Sequence, residues 1–381
     1  MAQSSSKLPV VVLVVVVLGC AAFGVYKFGP WFKPAATPDD NIEIGAKVAA
    51  LAAIDKAITS AAAVERVKPA RFLDPAKPIV KELAKLVEGD SIRELAFTPD
   101  SKFLVSADYG DMHLRVWDWR ERKVVSKQKH AHRLTGLALA PDGRGAWTGD
   151  AYQNLYFWSI SDKGELGKAE LVGEKLGGTL QVAISPNGRM VATSSYEQIV
   201  SVWDTQTRKQ LAQGKGEAQM RLCAFSTDSA RLVVGSTTNF FVEYDLAAGK
   251  ARKVPMLGVR PDADHVAAVF SPDGKHFSTG HTQPYVTVWD AGPMNYRHFL
   301  ECSMSGICAV AYSPDSKWLA FAQGNGDILL WDPNVKDNPP GCVAMLRGHE
   351  KFIKALAFSP DGKVLASGDE GGRIVLWAKA D

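Results

Sequence analysis

Two histidines in the stretch KHAHR are the residues of this chain whose type and spacing best suit metal chemistry. His130 and His132 could each offer an imidazole nitrogen to a divalent ion. A zinc site needs three or four protein ligands, and no further ligand follows the pair at a suitable spacing. The pair is therefore typical of capping or surface histidines in an exposed loop, and the sequence predicts no metal site.

Cysteines and catalytic motifs give no sign of a reactive centre. The chain has no GxSxG elbow, no HExxH helix motif and no phosphate-binding glycine loop. Its Asp-Gly pairs are typical of turns rather than of calcium loops. None of the cysteines forms a CxxC pair; they are Cys20, Cys223, Cys302, Cys308 and Cys342. We therefore expect a protein that is not an enzyme, with no catalytic residues, no cofactor and no metal.

Composition argues against a nucleic-acid partner. The 381 residues include 44 Lys and Arg against 41 Asp and Glu, a net charge of +3. A nucleic-acid-binding protein normally concentrates basic residues on one surface, and this near balance gives no such excess. With 46% hydrophobic residues, the chain can bury a sizeable core.

An uncharged run near the N-terminus predicts a membrane segment. Nineteen residues without a charge lie between Lys7 and Lys27. As a helix they would span about 28 Å, close to the hydrocarbon thickness of a bilayer. We expect a single-pass transmembrane helix over about residues 8–26. Because Lys7 is matched by Lys27 and Lys33, the side of the membrane that the rest of the chain faces stays open.

Two other interpretations of this run remain open. The short apolar core and the small residues Gly19 to Ala21 also fit a cleavable signal peptide. The sequence VLGC fits a degenerate lipoprotein signal acylated at Cys20, although Leu18 is bulky for that motif.

A stalk is predicted between the membrane segment and the rest of the chain. Residues 1–29 hold the N-terminal tail and membrane segment, and residues 30–78 are rich in proline and alanine. Within the stalk, residues 41–66 have apolar side chains three to four apart, which predicts an Ala-rich juxtamembrane helix.

A four-residue turn recurs seven times in the remainder. The copies are TPDS, APDG, SPNG, STDS, SPDG, SPDS and SPDG, and an aromatic residue follows the second residue of each by 17 or 18 positions. These aromatics are Trp117, Trp158, Trp203, Tyr244, Trp289, Trp331 and Trp377, spaced 41 to 46 residues apart. A period of this length with four strands per unit is the signature of a β-propeller.

The units resemble WD40 repeats. The residues that carry the likeness are VWD at Val116, Val202 and Val288, LWD at Leu330 and RGH at Arg347. The resemblance implies an all-β fold, a seven-bladed WD40-like β-propeller over residues 79–381.

The last repeat lacks an outer strand, because only four residues follow Trp377. The segment from Ile79 to Asp90 precedes the first unit and ends in VEGD, where the last such segment, after Trp331, ends in LRGH. We expect residues 79–88 to pair with Arg373–Trp377 and close the ring, which removes an exposed sheet edge.

Departures from the WD40 pattern concern the buried His, Ser or Thr, Asp and Trp that often brace such blades. With His349 as guide, the equivalent histidine occurs elsewhere only at His130. Six residues before the aromatic, where the resemblance implies Asp, only the first unit has one, Asp111. We therefore expect no blade to hold the full set, and blade packing to be mainly apolar.

One ring of loops holds candidates for partner binding. It comprises the loops between second and third strands and those leading into the first strands, and loops on a rigid scaffold often carry function. Tyr and Arg commonly anchor protein interfaces, although tyrosines here could equally cover the ends of the blade cores. The candidates are Tyr109, Tyr152, Tyr196, Arg133, His265 and Phe352.

The sequence as a whole predicts a membrane-anchored, non-enzymatic scaffold that binds protein or peptide partners. The alternative is an exported propeller, signal-cleaved or lipid-anchored, that binds a small ligand or catalyses a hydrolytic step.

Overall fold

In the computed structural model, the described residues are 26–27, 32–34, 80–178, 180–216, 219–237, 240–255, 265–301, 306–333 and 342–379. Their strands form seven antiparallel sheets, and the innermost strand of each sheet contacts those of the sheets beside it. The predicted all-β, seven-bladed propeller is therefore confirmed.

Among the described residues, three strands precede the first blade: β1 (Tyr26–Lys27), β2 (Phe32–Pro34) and β3 (Val80–Val87). From β4 onward the chain builds each blade from the central channel outward. Blade 1 contains β4 (Ile92–Phe97), β5 (Phe103–Asp108), β6 (His113–Asp118) and β7 (Lys123–Lys129). Blade 2 contains β8 (Leu134–Leu139), β9 (Gly145–Asp150), β10 (Leu155–Ser159) and β11 (Glu170–Gly173). Blade 3 contains β12 (Leu180–Ile184), β13 (Met190–Ser195), β14 (Ile199–Asp204) and β15 (Gln210–Lys215).

The second half follows the same order. Blade 4 contains β16 (Met220–Phe225), β17 (Arg231–Ser236), β18 (Phe240–Asp245) and β19 (Lys250–Pro255). Blade 5 contains β20 (His265–Phe270), β21 (His276–His281), β22 (Tyr285–Asp290) and β23 (Asn295–Glu301). Blade 6 contains β24 (Ile307–Tyr312), β25 (Leu319–Gln323), β26 (Asp327–Trp331) and β27 (Cys342–Arg347). Blade 7 contains β28 (Ile353–Phe358), β29 (Val364–Asp369) and β30 (Arg373–Lys379).

The fourth strand of blade 7 is β3, which comes from the other end of the propeller sequence. β3 pairs antiparallel with β30, from Val80 opposite Lys379 to Val87 opposite Arg373. The turn before β30 lies tightly against the residues after β3: Gly372 has φ +74°, and a Cβ there would lie 2.2 Å from the carbonyl oxygen of Gly89. Only glycine fits this contact. Close packing therefore fixes the two chain segments against each other where the ring closes.

β1 and β2 add short outer pairings to blades 4 and 3, with β19 and β15 respectively. The predicted membrane segment over residues 8–26, apart from Tyr26, and the predicted helix over residues 41–66 lie outside the described residues. Among the residues that the structure describes, no helix has the length and apolar character needed to cross a membrane.

The repeated aromatic of each blade lies in the core between that blade and the preceding one. Trp377 of blade 7, for example, packs with Leu330 of blade 6, and Trp117 of blade 1 packs with Leu376 of blade 7. All seven aromatics are at most 7% exposed. Burying a side chain of this size contributes about 3 kcal/mol or more, so the recurring aromatic is the main apolar connection between blades.

The turns after the first strands form a second set of contacts between blades. Four of them end in glycine and three in serine, and the serines keep φ between +56° and +60° although they carry a Cβ. Each serine Oγ accepts a hydrogen bond from the turn of the preceding blade: Asn187 N donates to Ser229, Asp273 N to Ser316, and Asp361 N to Ser101, at 3.0 to 3.1 Å. These bonds offset the cost of about 1 kcal/mol of a left-handed serine.

Blade 7 contains a complete polar brace, which corrects the expectation that no blade would. The indole N–H of Trp377 donates to Ser367 Oγ at 2.8 Å, and Ser367 Oγ lies 2.6 Å from His349 Nε2. His349 Nδ1 lies 2.6 Å from Asp369 Oδ2. The brace was missed because Asp369 is eight residues before Trp377, at the start of the turn into β30, and not six.

Blade 2 has the same four residue types without the same bonds. Trp158 donates to Thr148 Oγ1 at 2.8 Å, and Asp150 accepts from backbone N–H groups of its own turn. His130 is only 3% exposed, which corrects its interpretation as a residue of an exposed loop. Its Nδ1 lies 2.9 Å from the backbone oxygen and 3.1 Å from the backbone nitrogen of His132, and it makes no hydrogen bond to Asp150.

Candidate partner-binding face

The loops between second and third strands lie at the same end of the propeller as the loops that lead into first strands. Backbone hydrogen bonds join the two sets, as from Tyr109 N to Ser91 O, Ala151 N to Arg133 O and Glu370 N to Phe352 O. We call this end the loop face, and the opposite end, which holds the serine and glycine turns, the turn face.

The predicted binding residues all belong to the loop face. Tyr109, Tyr152 and Tyr196 follow β5, β9 and β13, whereas Arg133 and Phe352 precede β8 and β28. The backbone of His265 begins β20, and its side chain lies outside the described part of the chain. The structure therefore places these residues as expected, and their part in binding stays a prediction.

A first group lies over blades 1 and 2. The guanidinium of Arg133 lies 5.0 Å from the ring centre of Tyr109, and its Nη1 donates to the tyrosine hydroxyl at 3.4 Å. His132 stacks on Tyr152, with 4.1 Å between ring centres. Tyr152 is 66% exposed, so it does not serve to cover a blade core and presents a broad aromatic surface to solvent.

A second group lies at the mouth of the central channel. The guanidinium of Arg221 lies 5.2 Å from the ring centre of Tyr196, and the ammonium of Lys354 lies 5.5 Å from that of Phe352. Phe352 is 49% exposed. The structure thus separates five of the six candidates into two clusters, because Tyr196 and Phe352 line the channel while Tyr109, Tyr152 and Arg133 do not.

β-bulges near the start of the first strands form a feature that the sequence reasoning missed. In six blades the pairing of first and second strands shifts by one residue after the first position. A bulge leaves one residue outside the ladder and re-aims its side chain. We call these residues the bulge ring: Arg93, Thr135, Arg221, Val266, Cys308 and Lys354.

Three members of the bulge ring are cations, at equivalent positions of blades 1, 4 and 7. A recognisable signal was present in the sequence, since each cation follows the apolar first residue of its inner strand, in IRELAF, MRLCAF and IKALAF. The bulge brings Arg93, Arg221 and Lys354 to one cavity of about 620 Å³ in the channel. A cavity of this volume is large enough for a small molecule or for several side chains of a peptide.

Glu94 is the exception among the residues that follow the bulges. The other five bulged strands have Gly136, Leu222, Ala267, Ala309 or Ala355 at this position. Glu94 lines the cavity, and no hydrogen bond reaches its carboxylate from the described blades. Desolvation in the channel raises the pKa of Glu94 to about 7, although the positive charge of Arg93 opposes the rise. Its charge therefore changes within the physiological pH range.

The cavity also contains an ion pair and two thiols. Lys354 is paired with Glu370, with 2.9 Å between Nζ and Oε1. Burial raises the pKa of the Cys223 thiol to about 12 and raises that of Cys308 as well, so both stay protonated. These cysteines are not activated nucleophiles.

Metal-binding clusters are also missing from the described strands and loops: nowhere in them do three or more His, Cys, Asp or Glu side chains converge. The loop face therefore offers aromatic surface, fixed cations and a channel, which are features of a binding surface.

Comparison with known proteins identifies the repeats. The family model of the WD domain, G-beta repeat, matches residues 81–118, 172–204, 295–332 and 340–378. Each matched segment includes all or part of the outer strand of one blade and ends one residue after the aromatic of the next blade.

Curated relatives agree with this match at low identity. The chain is 24% identical over 235 residues to cell division cycle 20.1, cofactor of APC complex, of Arabidopsis thaliana, which covers 59% of this chain and 46% of the relative. It is 26% identical over 233 residues to autophagy-related protein 16 of Arabidopsis thaliana, covering 61% of this chain and 37% of the relative. It is 23% identical over 262 residues to protein groucho of Drosophila melanogaster, covering 66% and 34%. The aligned part thus spans less than half the length of each of these relatives.

Proposed function

Because four segments of this chain match the model of the WD repeat and its described strands form a seven-bladed propeller, we propose that it is a non-enzymatic scaffold whose loop face binds a protein or peptide partner. WD40 propellers typically mediate protein–protein interaction, and one relative is by its name the cofactor of a protein complex. The proposed mechanism is to concentrate and orient partners on a rigid surface.

The exposure of aromatic side chains on one face carries this proposal. Tyr152 and Phe352 are among the few large hydrophobic side chains that are exposed in the described residues, and both lie on the loop face. The ammonium of Lys354 lies over the ring of Phe352 and His132 stacks on Tyr152, so binding would order few additional rotamers. Rigid, exposed aromatics beside cations are the usual anchors of protein interfaces.

Crosslinking with mass spectrometry on the membrane-extracted full chain tests the proposal, because it reports the partner and the contacting face together. We expect crosslinked peptides from loop-face segments. A captured partner is then tested against the triple variant Y109A/Y152A/Y196A, which we expect to weaken its binding at least tenfold. The control changes three exposed turn-face residues to alanine, Arg144, Lys163 and Lys317. Equal binding by the two variants would exclude the loop face.

We further propose that residues 8–26 anchor the propeller at a membrane as a single-pass helix. The support is the uncharged nineteen-residue run, which matches the thickness of a bilayer. Alkaline carbonate extraction should leave the full-length chain in the membrane pellet, with an intact N-terminus. A mature chain beginning near Ala22 would instead indicate a cleaved signal, and an acylated Cys20 a lipoprotein.

A further inference from the structure

The cations of the channel mouth point to the chemistry of the partner. We propose that the channel accepts a peptide segment rich in carboxylates, with Arg93 and Arg221 as its two anchors. This inference rests on the proposed function and adds the chemical class of the partner.

The charges that face the channel are unequal in number. Arg93, Arg221 and Lys354 supply three positive charges, and Glu94 and Glu370 supply at most two negative ones. Because Lys354 and Glu370 form an ion pair, that pair contributes little to attraction of a third group. The cavity therefore has a positive excess that is greatest when Glu94 is protonated.

The two arginines are positioned for carboxylate recognition. Each is the bulge residue of an inner strand, so its backbone is fixed by a rigid sheet. The ring of Tyr196 lies beside the guanidinium of Arg221 and restricts its rotamers. A planar guanidinium can donate two parallel hydrogen bonds to one carboxylate, which gives both strength and orientation.

The charge state of Glu94 makes the binding of a carboxylate in this channel depend on pH. When ionised, it stands next to Arg93 and repels an incoming carboxylate, and when protonated, it can donate a hydrogen bond to one. The groups that face it from the surrounding strands are Arg93, Arg221, Lys354, Glu370 and the neutral thiols of Cys223 and Cys308. Binding of an acidic segment should therefore take up a proton and be tighter at pH 6 than at pH 8.

Fluorescence anisotropy with two labelled probes tests the inference on the full chain in detergent. The probes are octaglutamate and octalysine, at low salt. We expect octaglutamate to bind at least about tenfold more tightly than octalysine, and R93Q/R221Q to weaken it by at least about tenfold. The matched control, R144Q/R189Q, removes two exposed arginines from the turn face and should bind as wild type does.

The pH dependence of octaglutamate binding tests the role of Glu94. Between pH 8 and pH 6 the wild type should gain about three- to tenfold in affinity for octaglutamate, whereas E94Q should hold the higher affinity at both values. Octaglutamate remains ionised over this range, so the change reports the protein.

Several outcomes would overturn the inference. Preference of the wild type for octalysine is one, and it decides the question even when a variant fails to fold. Equal binding by R93Q/R221Q and R144Q/R189Q is another. If a native partner depends on the loop-face tyrosines while octaglutamate does not bind, only this inference fails; if the native partner ignores the loop face, the proposed function fails as well.

Discussion

Blades 6 and 7 are neighbours with the same strand order, yet their buried tryptophans differ in hydrogen bonding. In blade 7, Trp377 donates to Ser367, Ser367 is hydrogen-bonded to His349, and His349 is hydrogen-bonded to Asp369. In blade 6 the positions of Ser367 and Asp369 hold Phe321 and Gln323. Within the described residues the indole nitrogen of Trp331 and the amide nitrogen of Gln323 are buried without a hydrogen-bond partner.

The difference shows that the polar brace is not required to form a blade. Trp331 is 1% exposed and lies in an apolar core with blade 5, so packing alone holds it. Blade 7 is the blade whose four innermost strands come from two distant chain segments, and it also receives the contact at Gly372. We infer that the brace stabilises the position where the ring is sealed, whereas blades made from one continuous segment depend less on it.

The largest effect is expected from D369A. It removes the acceptor of a buried His349 and of the backbone N–H groups of Gly371 and Arg373. We expect the free energy of unfolding to fall by about 3 kcal/mol, measured by chemical denaturation. The matched change in blade 6, Q323A, removes no described hydrogen bond and should cost less than about 1 kcal/mol. Equal losses would contradict a special role of the seam blade.

A smaller difference is expected between W377F and W331F. Both variants leave a similar small cavity, but only W377F also removes a hydrogen bond, the one to Ser367. The loss in W377F should exceed that in W331F by about 1 kcal/mol in the same denaturation assay. If W331F costs as much stability as W377F, the indole nitrogen of Trp331 has a hydrogen-bond partner outside the described residues.

The turn at the seam gives a third test. S101A removes the hydrogen bond from Asp361 N and keeps a Cβ in a left-handed conformation, so we expect a loss of about 1 kcal/mol. S101G loses the same bond but relieves the backbone, and should be nearly neutral. A neutral S101A would show that this contact between blades 7 and 1 contributes nothing.

The mildest effect is a pH dependence on the flank of blade 5 that faces blade 6. Burial, assisted by the charge of Arg297, lowers the pKa of His276 and of His298. The unfolded chain then binds protons first, so the free energy of unfolding should fall as the pH drops below about 6.5. H276Q/H298Q should flatten this slope between pH 7 and pH 5.

Blade 7 should respond in a different pH window. Burial opposes ionisation of Asp369, but hydrogen bonds from His349 and from two backbone N–H groups hold its pKa below the ordinary value. Its stabilisation is present above about pH 4 and is lost as the pH falls through the lowered pKa. Loss of the wild-type slope between pH 7 and pH 5 in D369A alone would contradict this assignment.

Much of the architecture followed from the sequence because two periods are locked together. The turn and the aromatic recur at a fixed distance, and each corresponds to a physical contact between blades. The last of the seven repeats also lacked an outer strand of its own, and β3 supplies that strand. The brace was misjudged because Asp369 belongs to a turn, whose length is less constant than the strands around it.

The candidate site was predicted less completely. Loop positions of Tyr152 and Phe352 could be assigned from strand order, but their exposure could not. The channel cations escaped notice because a bulge shifts the alternation of inward and outward side chains by one residue. In an apolar strand, the sequence shows such a shift only through a polar residue at the bulge, such as Arg93.

The pairing of β3 with β30 also sets the order in which this protein can mature. β3 is made before the first blade, and its partner, Arg373–Lys379, is made after nearly all the others. During synthesis on the ribosome the edge of β3 therefore stays open while six blades assemble behind it. An open strand edge is a template for pairing with other chains, and a premature stop before β30 would leave the ring without its closing strand pair.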